Sequence, residues 1–461
     1  MRTTPLDRWI ARKIGVPPDE RLAVRHIRPR QLELLRQTID YACEKSLFYR
    51  GHLAGLSGAN LMSLHDLASF PFTTPDDLRE KHPQFLCVSQ SQVERVVTLF
   101  SSGLENEPRR VSFTAQDLEL TTDFFHHGMT ALVEPGQRVL ILMPGDRPWS
   151  VGDLLAKALH RMNVRGIVHG VVQEAETAIE DICRWETDCL VGIPTQVLAI
   201  ARHPHAAEIP TGLIKSILLS ADYVPSAITR ELRDVWGCTV FNHYGTTEMG
   251  LGGGVECEAL AGYHLREADL YFEIIDPDSG QPQPYGLPGE VVFTTLTRTG
   301  MPLIRYRTGD LSRFLSDPCP CGTELPRMDK IRGRLQDMIR LPTGEWLGIQ
   351  DLDEVLFEFP EVLNYTATLV EQSIGHRLRL ELLPKPDCEL PDQQTIDSAL
   401  RSLPVLDSAI AQGCLSLEPA SLATRNRVTT GVEKRSIIRS SDKGHGNDTP
   451  RQKNGLYASG N

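Results

Sequence analysis

The residues best suited to chemistry fall in a few short clusters. Val240-Phe241-Asn242-His243-Tyr244 reads as a strand running into Gly245-Thr246-Thr247-Glu248, a glycine turn with two hydroxyls and a carboxylate. Strand ends that open into such loops are where open α/β sheets bind ligands. The same loop would also serve as a plain strand-to-helix turn capped by Thr246 or Thr247. Ser101-Ser102-Gly103 ends another predicted strand, and its hydroxyls and backbone N–H groups suit a phosphate. In Arg305-Tyr306-Arg307-Thr308-Gly309-Asp310 a carboxylate just past a turn can accept both hydroxyls of a ribose, or cap its own turn. Gly333-Arg334 and Asp337 set a planar cation where the composition changes, which fits a hinge beside a polyanion or a plain surface loop. Cys257, His264, Cys319 and Cys321 make a complete N/S set for tetrahedral Zn2+, although their spacing is not that of a standard finger.

The elements that must position these clusters follow from periodicity. Pro29 is expected to open a helix with Leu32, Leu35, Ile39 and Ala42 on one face. Pro71 to Asp77 reads as a loop in which Thr74 or Asp76 caps the next helix. Strands are expected at Val93 to Phe100 and Val111 to Phe113. From Ala115 to about residue 240 helical stretches alternate with apolar runs at Val139 to Met143, Cys189 to Ile193 and Ile214 to Leu219, which predicts a parallel sheet with covering helices. Phe272 to Ile275 and Glu290 to Thr295 read as a small antiparallel region. A smaller α+β segment runs to about Arg439, and the tail from Ser440 to Asn461 has the composition of a disordered segment.

Composition narrows the class. A net charge of −12 over 461 residues opposes broad binding of nucleic acid or of an anionic membrane surface. No apolar run is long enough to span a bilayer, and Met1 to Arg12 has no apolar core of the signal-peptide kind. The ten cysteines are scattered, as expected of reduced thiols in the cytoplasm.

The order of the clusters is more specific than any one of them. Ser-Ser-Gly, Tyr-Gly-Thr-Thr-Glu, Tyr-Arg-Thr-Gly-Asp and Gly-Arg-x-x-Asp-x-Ile follow one another as in adenylate-forming enzymes. With Phe48-Tyr49-Arg50, Pro71-Phe72-Thr73-Thr74, Phe293-Thr294-Thr295-Leu296 and Pro302 to Arg307, the chain resembles the phenylacetate–CoA ligase branch of that superfamily over residues 30 to 440. The resemblance implies a large N-terminal α/β domain (1–335), a mobile α+β domain (336–439), and ATP with Mg2+ held between them. Carried over, His243, Tyr244, Gly245, Thr246 and Thr247 hold adenine and α-phosphate, and Glu248 helps hold Mg2+. Asp310 takes the ribose, Ser220-Ala221-Asp222 the adenine side, Arg334 the polyanion, and Asp337 is the hinge. The branch often has cysteine and histidine at comparable positions, which favours a structural zinc pinning the β region against the nucleotide loop. The implied partners are a small carboxylic acid, seated beside Phe241 and Gly250 to Gly254, and coenzyme A. A homodimer is compatible with the sequence.

Two departures matter. The family's phosphate loop, Ser-Ser-Gly-Thr-Thr-Gly-Lys-Pro, becomes Ser101-Ser102-Gly103-Leu104-Glu105-Asn106-Glu107-Pro108, so that lysine is replaced by Glu107, with Arg109 and Arg110 as the available compensation. The lysine expected directly after Gly431 is Val432, leaving Lys434 as the candidate catalytic cation beside Thr246 and Glu248. The segment after the hinge, Leu341 to Trp346, also differs from the family's glycine-rich run. The leading expectation is an acyl-CoA ligase working through an acyl-adenylate. The alternatives are an F390 synthetase-like adenylyltransferase, whose product keeps AMP, and a nucleotide-binding homologue with weak or lost catalysis.

Overall fold

Short apolar strands separated by amphipathic helices build the main sheet. In the computed structural model, which describes residues 3–99, 108–372, 375–423 and 435–441, this sheet has eight strands. Five are parallel, in the order Arg165–Val168, Arg138–Ile141, Cys189–Gly192, Ser216–Leu219 and Thr239–Tyr244. Cys189–Gly192 and Ser216–Leu219 are buried throughout, as strands covered on both faces must be. The helix Ala175–Trp185 packs through Ala178, Ile179 and Ile182, and Ser226–Trp236 through Ile228, Leu232 and Trp236. Chain order reverses between Arg138–Ile141 and Cys189–Gly192, and ligand crevices open at such points beyond the carboxyl ends of the strands.

Beyond Thr239–Tyr244 the sheet continues antiparallel through Gly254–Val255, Tyr263–Leu265 and Arg327–Met328. A separate antiparallel sheet joins Leu270–Ile275, Gly289–Thr295 and Tyr306–Ser312. Val93–Leu99 and Arg109–Thr114 form a hairpin. The smaller C-terminal part has its own sheet, in which Leu415–Leu417, His376–Pro384, Val362–Glu371 and Ile438–Ser441 lie side by side, with the helices Ile349–Leu356, Gln393–Arg401 and Pro404–Ala411.

This C-terminal part docks on the helices that cover the main sheet. Arg202, buried at the seam, pairs with Glu231 and donates to the carbonyls of Phe357 and Val362. Tyr223 Oη donates to Glu354 at 2.6 Å, and Arg230 pairs with Glu358 at 2.9 Å.

Three expectations need correction. The first long helix starts at Val24, and Pro29 lies inside it. Burial of Ile27 and Gln31, and the bond from Gln31 Nε2 to the Glu267 carbonyl at 3.0 Å, hold the preceding turn helical although Pro29 donates nothing. Asp310 stands within the strand Tyr306–Ser312; the turn-like signal of Gly309, at φ 75°, belongs to an irregularity in register against Glu290 and Val292. The last strand carries Ser440 and Ser441, which composition alone assigns to the tail. Residues 442–461 lie outside the described residues, as do Ser101, Ser102, Gly103, Glu107, Val432 and Lys434. Thr74 does cap the helix Pro75–Lys81, in a reciprocal box with Asp77.

Candidate active site

The strand Thr239–Tyr244 delivers the loop. Alternation along it turns Tyr244 toward Asp310 and leaves His243 on the face of Ser220. The loop then folds back sharply: a Cβ on Gly245 would lie 2.5 Å from the Leu251 carbonyl oxygen, so no side chain fits there. Thr246 closes the turn, its Oγ1 accepting from Met249 N at 3.3 Å and its carbonyl from Leu251 N at 2.8 Å.

Asp310 is fully buried, and both its oxygens are engaged. Tyr244 Oη donates to Oδ2 at 2.9 Å, and Arg334 Nε to Oδ1 at 2.7 Å. Burial alone would lower the Arg334 pKa; the carboxylates of Asp310 and Glu248 outweigh that and raise it, so the guanidinium stays charged. Burial, and then Asp310, raise the Tyr244 phenol, which remains a donor.

One cleft is lined by Ala221, Asp222, His243, Tyr244 and Gly245 together with Asp310, Arg334 and Asp337. The sequence placed seven of these at the nucleotide and Asp337 at the hinge, and the fold brings all eight into one crevice at the strand ends. Ala221 holds φ 75°, a conformation uncommon outside glycine, at the mouth of this cleft. His243 Nδ1 bonds Ser220 Oγ at 2.8 Å, while its Nε2 is buried without a partner. Burial pushes that ring's pKa down to about 4, so it is neutral.

Glu248, farther along the same loop, is buried. Its Oε1 accepts from Tyr306 Oη at 3.3 Å and lies 3.7 Å from Arg109 Nη2, while its carbonyl accepts from Arg298 Nη1 at 2.8 Å. Thr247 flanks it, and its carbonyl accepts from Gly250 N at 3.0 Å. Phe241 is buried on the same strand, and Gly252 lies so close to the Phe124 ring that a Cβ would stand 2.5 Å from it. The rings of Phe124 and Phe125 lie 6.3 and 6.1 Å from His243, giving the segment expected beside the acid an aromatic wall.

Several lining residues were not anticipated, among them Lys330, Gln350 and Arg435. Arg435 lines the cleft from the C-terminal part, paired with Asp353 at 2.5 Å and 4.5 Å over the Tyr365 ring. Its only sequence signal was its place next to Lys434. Gln350 fills the space beside Gly333 (φ 129°), where a Cβ would meet its amide at 2.7 Å.

The metal candidates also converge. Ligand atoms of Cys257, His264, Cys319 and Cys321 all lie within 4.8 Å of one another and all four residues are buried. Sγ of Cys257 and Cys319 are 3.8 Å apart, and His264 Nε2 stands 3.2, 3.5 and 3.7 Å from Cys257, Cys319 and Cys321. A tetrahedron with metal bonds of ~2.3 Å to sulfur and ~2.0 Å to nitrogen separates sulfurs by about 3.8 Å and sulfur from nitrogen by about 3.5 Å. A single ring nitrogen facing three sulfurs matches such a ligand set better than it matches hydrogen bonding. The residues fit zinc.

A five-strand parallel core with a cleft at the strand ends is the open α/β architecture that places a ligand site there. Residues 96–297 match the AMP-binding enzyme family. The chain is 31% identical to a phenylacetate-coenzyme A ligase of Thermus thermophilus, over 77% of this chain and 81% of that one. It is also 31% identical to the enzyme of the same name from Pseudomonas putida, over 70% and 74%. A crystal structure of 2-hydroxyisobutyryl-CoA ligase in the postadenylation state superposes with a TM-score of 0.77 at 20% identity, covering 93% of this chain and 94% of that one. The chain belongs to the phenylacetate–CoA ligase-like branch of the adenylate-forming enzymes, and is an AMP-forming acid–thiol ligase. Among the described residues no helix is long and apolar enough to cross a membrane.

Proposed function

We propose that this protein is an ATP-dependent ligase that activates an aryl or other small carboxylic acid as its acyl-adenylate. It then transfers the acyl group to coenzyme A, releasing AMP and pyrophosphate. The observation that carries this reading is the meeting of Tyr244, Asp310, Arg334 and Asp222 in one cleft. Tyr244 and Arg334 hold the Asp310 carboxylate in place against this cleft, where its charge and geometry suit the hydroxyls of a ribose. Gly245 and Thr246 offer backbone and hydroxyl donors to the α-phosphate, where the acid's carboxylate must attack against like charge. Glu248 has few and long contacts at its carboxylate and is suited to hold Mg2+, which would neutralise the triphosphate. The wall of Phe124 and Phe125 beside His243 suits a flat acyl group.

For thioester formation we assign residues 336–439 as the mobile domain and Asp337 as its hinge, with Gln350 packed beside Gly333. The protein acts in the cytoplasm. Mass spectrometry of a carboxylic-acid panel with Mg-ATP and CoA tests the reading: thioester and AMP are expected. AMP retained on the product would point to adenylyl transfer instead, and absence of both across a broad panel would sink catalysis altogether.

Zinc at Cys257, His264, Cys319 and Cys321 would clip the antiparallel end of the main sheet together. Purified protein is expected to carry about one Zn2+ per chain by elemental analysis, as closed four-ligand sites do. Cys321→Ser is expected to lose it.

A second reading, nucleotide binding with slowed turnover, draws on Glu107 and Val432, since both changes fall in the segments that handle phosphate. If Lys434 has not taken over, Val432→Lys should speed pyrophosphate release by ~10²–10³-fold, the usual worth of one such electrostatic contact. An unchanged rate would point to a working alternative such as Lys434.

A further inference from the structure

We propose that Arg109 receives the terminal phosphates of ATP, in place of the lysine that the family's phosphate loop carries and Glu107 displaces. The inference rests on the ATP-dependent reading above.

The need for a cation is set by charge. Glu105 and Glu107 make this phosphate loop acidic, and a triphosphate approaching it requires compensation. Two arginines follow, and the hairpin separates them. Its register pairs Leu99 with Arg109 and Thr98 with Arg110, so the two side chains leave opposite faces of the ribbon. Arg110 is exposed, and its charge acts on the buried His82, away from the nucleotide loop. The Arg109 side chain is 17% exposed and turns inward to Glu248.

The other cations around Glu248 are each held by a hydrogen bond, although Arg298 Nη2 is also buried with no partner among the described residues. Arg334 is bonded to Asp310, and Arg298 is buried against Phe113 while donating to the Glu248 carbonyl. The Arg109 side chain is not so held. Its Nη2 stands 3.7 Å from Glu248 Oε1, beyond hydrogen-bonding distance, and its Nε is buried with no partner among the described residues. A guanidinium held purely for structure would close a bidentate pair with the carboxylate. This one stands beside the carboxylate proposed for Mg2+ with donors to spare, where phosphate oxygens bridged by that ion would come within its fork.

Calorimetric titration of the full chain with ATP, AMP and inorganic pyrophosphate tests the assignment. Arg109→Gln is expected to weaken ATP and pyrophosphate by about tenfold or more, the scale of one charge-assisted contact, and to leave AMP within about twofold. Arg109→Lys, which keeps the charge and loses the fork, should recover part of the loss and carries the test if the glutamine variant does not fold. Arg110→Gln should change none of the three. In pyrophosphate exchange the KM for ATP should rise more than kcat falls. Equal weakening of ATP and AMP, or undiminished ATP binding, would overturn the proposal while leaving the enzyme reading intact. Wild-type protein that binds neither nucleotide overturns both.

Discussion

Asp310→Ala is expected to weaken ATP and AMP alike, by ~10²-fold or more. The carboxylate would supply two charge-assisted hydrogen bonds to the ribose, each worth ~1.5–3 kcal/mol, and ~1.4 kcal/mol is tenfold in affinity. The loss extends beyond those bonds. Without Asp310, Tyr244 Oη loses its acceptor and Arg334 its partner at 2.7 Å, so the floor of the cleft is released as well. Asp310→Asn separates the two effects. It retains an acceptor for Tyr244 but not the charge that holds Arg334, and should fall between wild type and alanine. Calorimetry with AMP is the decisive measurement, because AMP carries the ribose without the terminal phosphates. Affinity for AMP within about threefold of wild type in Asp310→Ala, less than one such bond is worth, would remove Asp310 from the nucleotide site. The pattern also contrasts with that expected for Arg109, which discriminates between ATP and AMP.

Much of this cleft could be read from the chain because its parts are local. A strand of alternating faces ending in glycine dictates where Tyr244 and His243 point, and the clash waiting at Gly245 explains why that position is glycine. The order of the motifs supplied the rest. What stayed hidden depends on partners far along the chain. Arg435 reaches the cleft because Asp353 and the Tyr365 ring hold it, and no spacing near Arg435 reports either of them. Pro29 misled for a related reason: its local preference for a helix start was overridden by the burial of Ile27 and Gln31 against a distant loop. The cysteine cluster lay between these cases. Its ligand types were evident, but only the pairing of Arg327–Met328 with Tyr263–Leu265 brings Cys319 and Cys321 beside His264.

The largest effect on stability is expected at Arg305, also within a motif shared with the family. Its side chain is 1% exposed and bonds Glu273 through Nε at 3.2 Å and Nη2 at 3.0 Å. It also donates to the carbonyls of Ala68 and Phe70, at 2.9 and 2.6 Å, and lies 4.0 Å over the Phe72 ring. One guanidinium thereby ties the segment before Pro75 to the three-stranded sheet that carries Asp310. Removing one partner of a buried pair strands the other charge, at a cost of ~3–5 kcal/mol. Arg305→Met should therefore cost about that much in denaturant unfolding, with Glu273 left buried and uncompensated. Glu273→Gln alone should cost a similar amount, since the buried arginine then keeps only neutral acceptors and loses its counter-charge. The double variant should recover part of the loss, because burying two neutral groups is cheaper than burying one unpaired charge. Additive losses in the double variant would show that the packing of Arg305 on Phe72, rather than its charge, holds this seam. Nucleotide affinity should fall in the folded fraction too, because the strand Tyr306–Ser312 begins at the residue after Arg305.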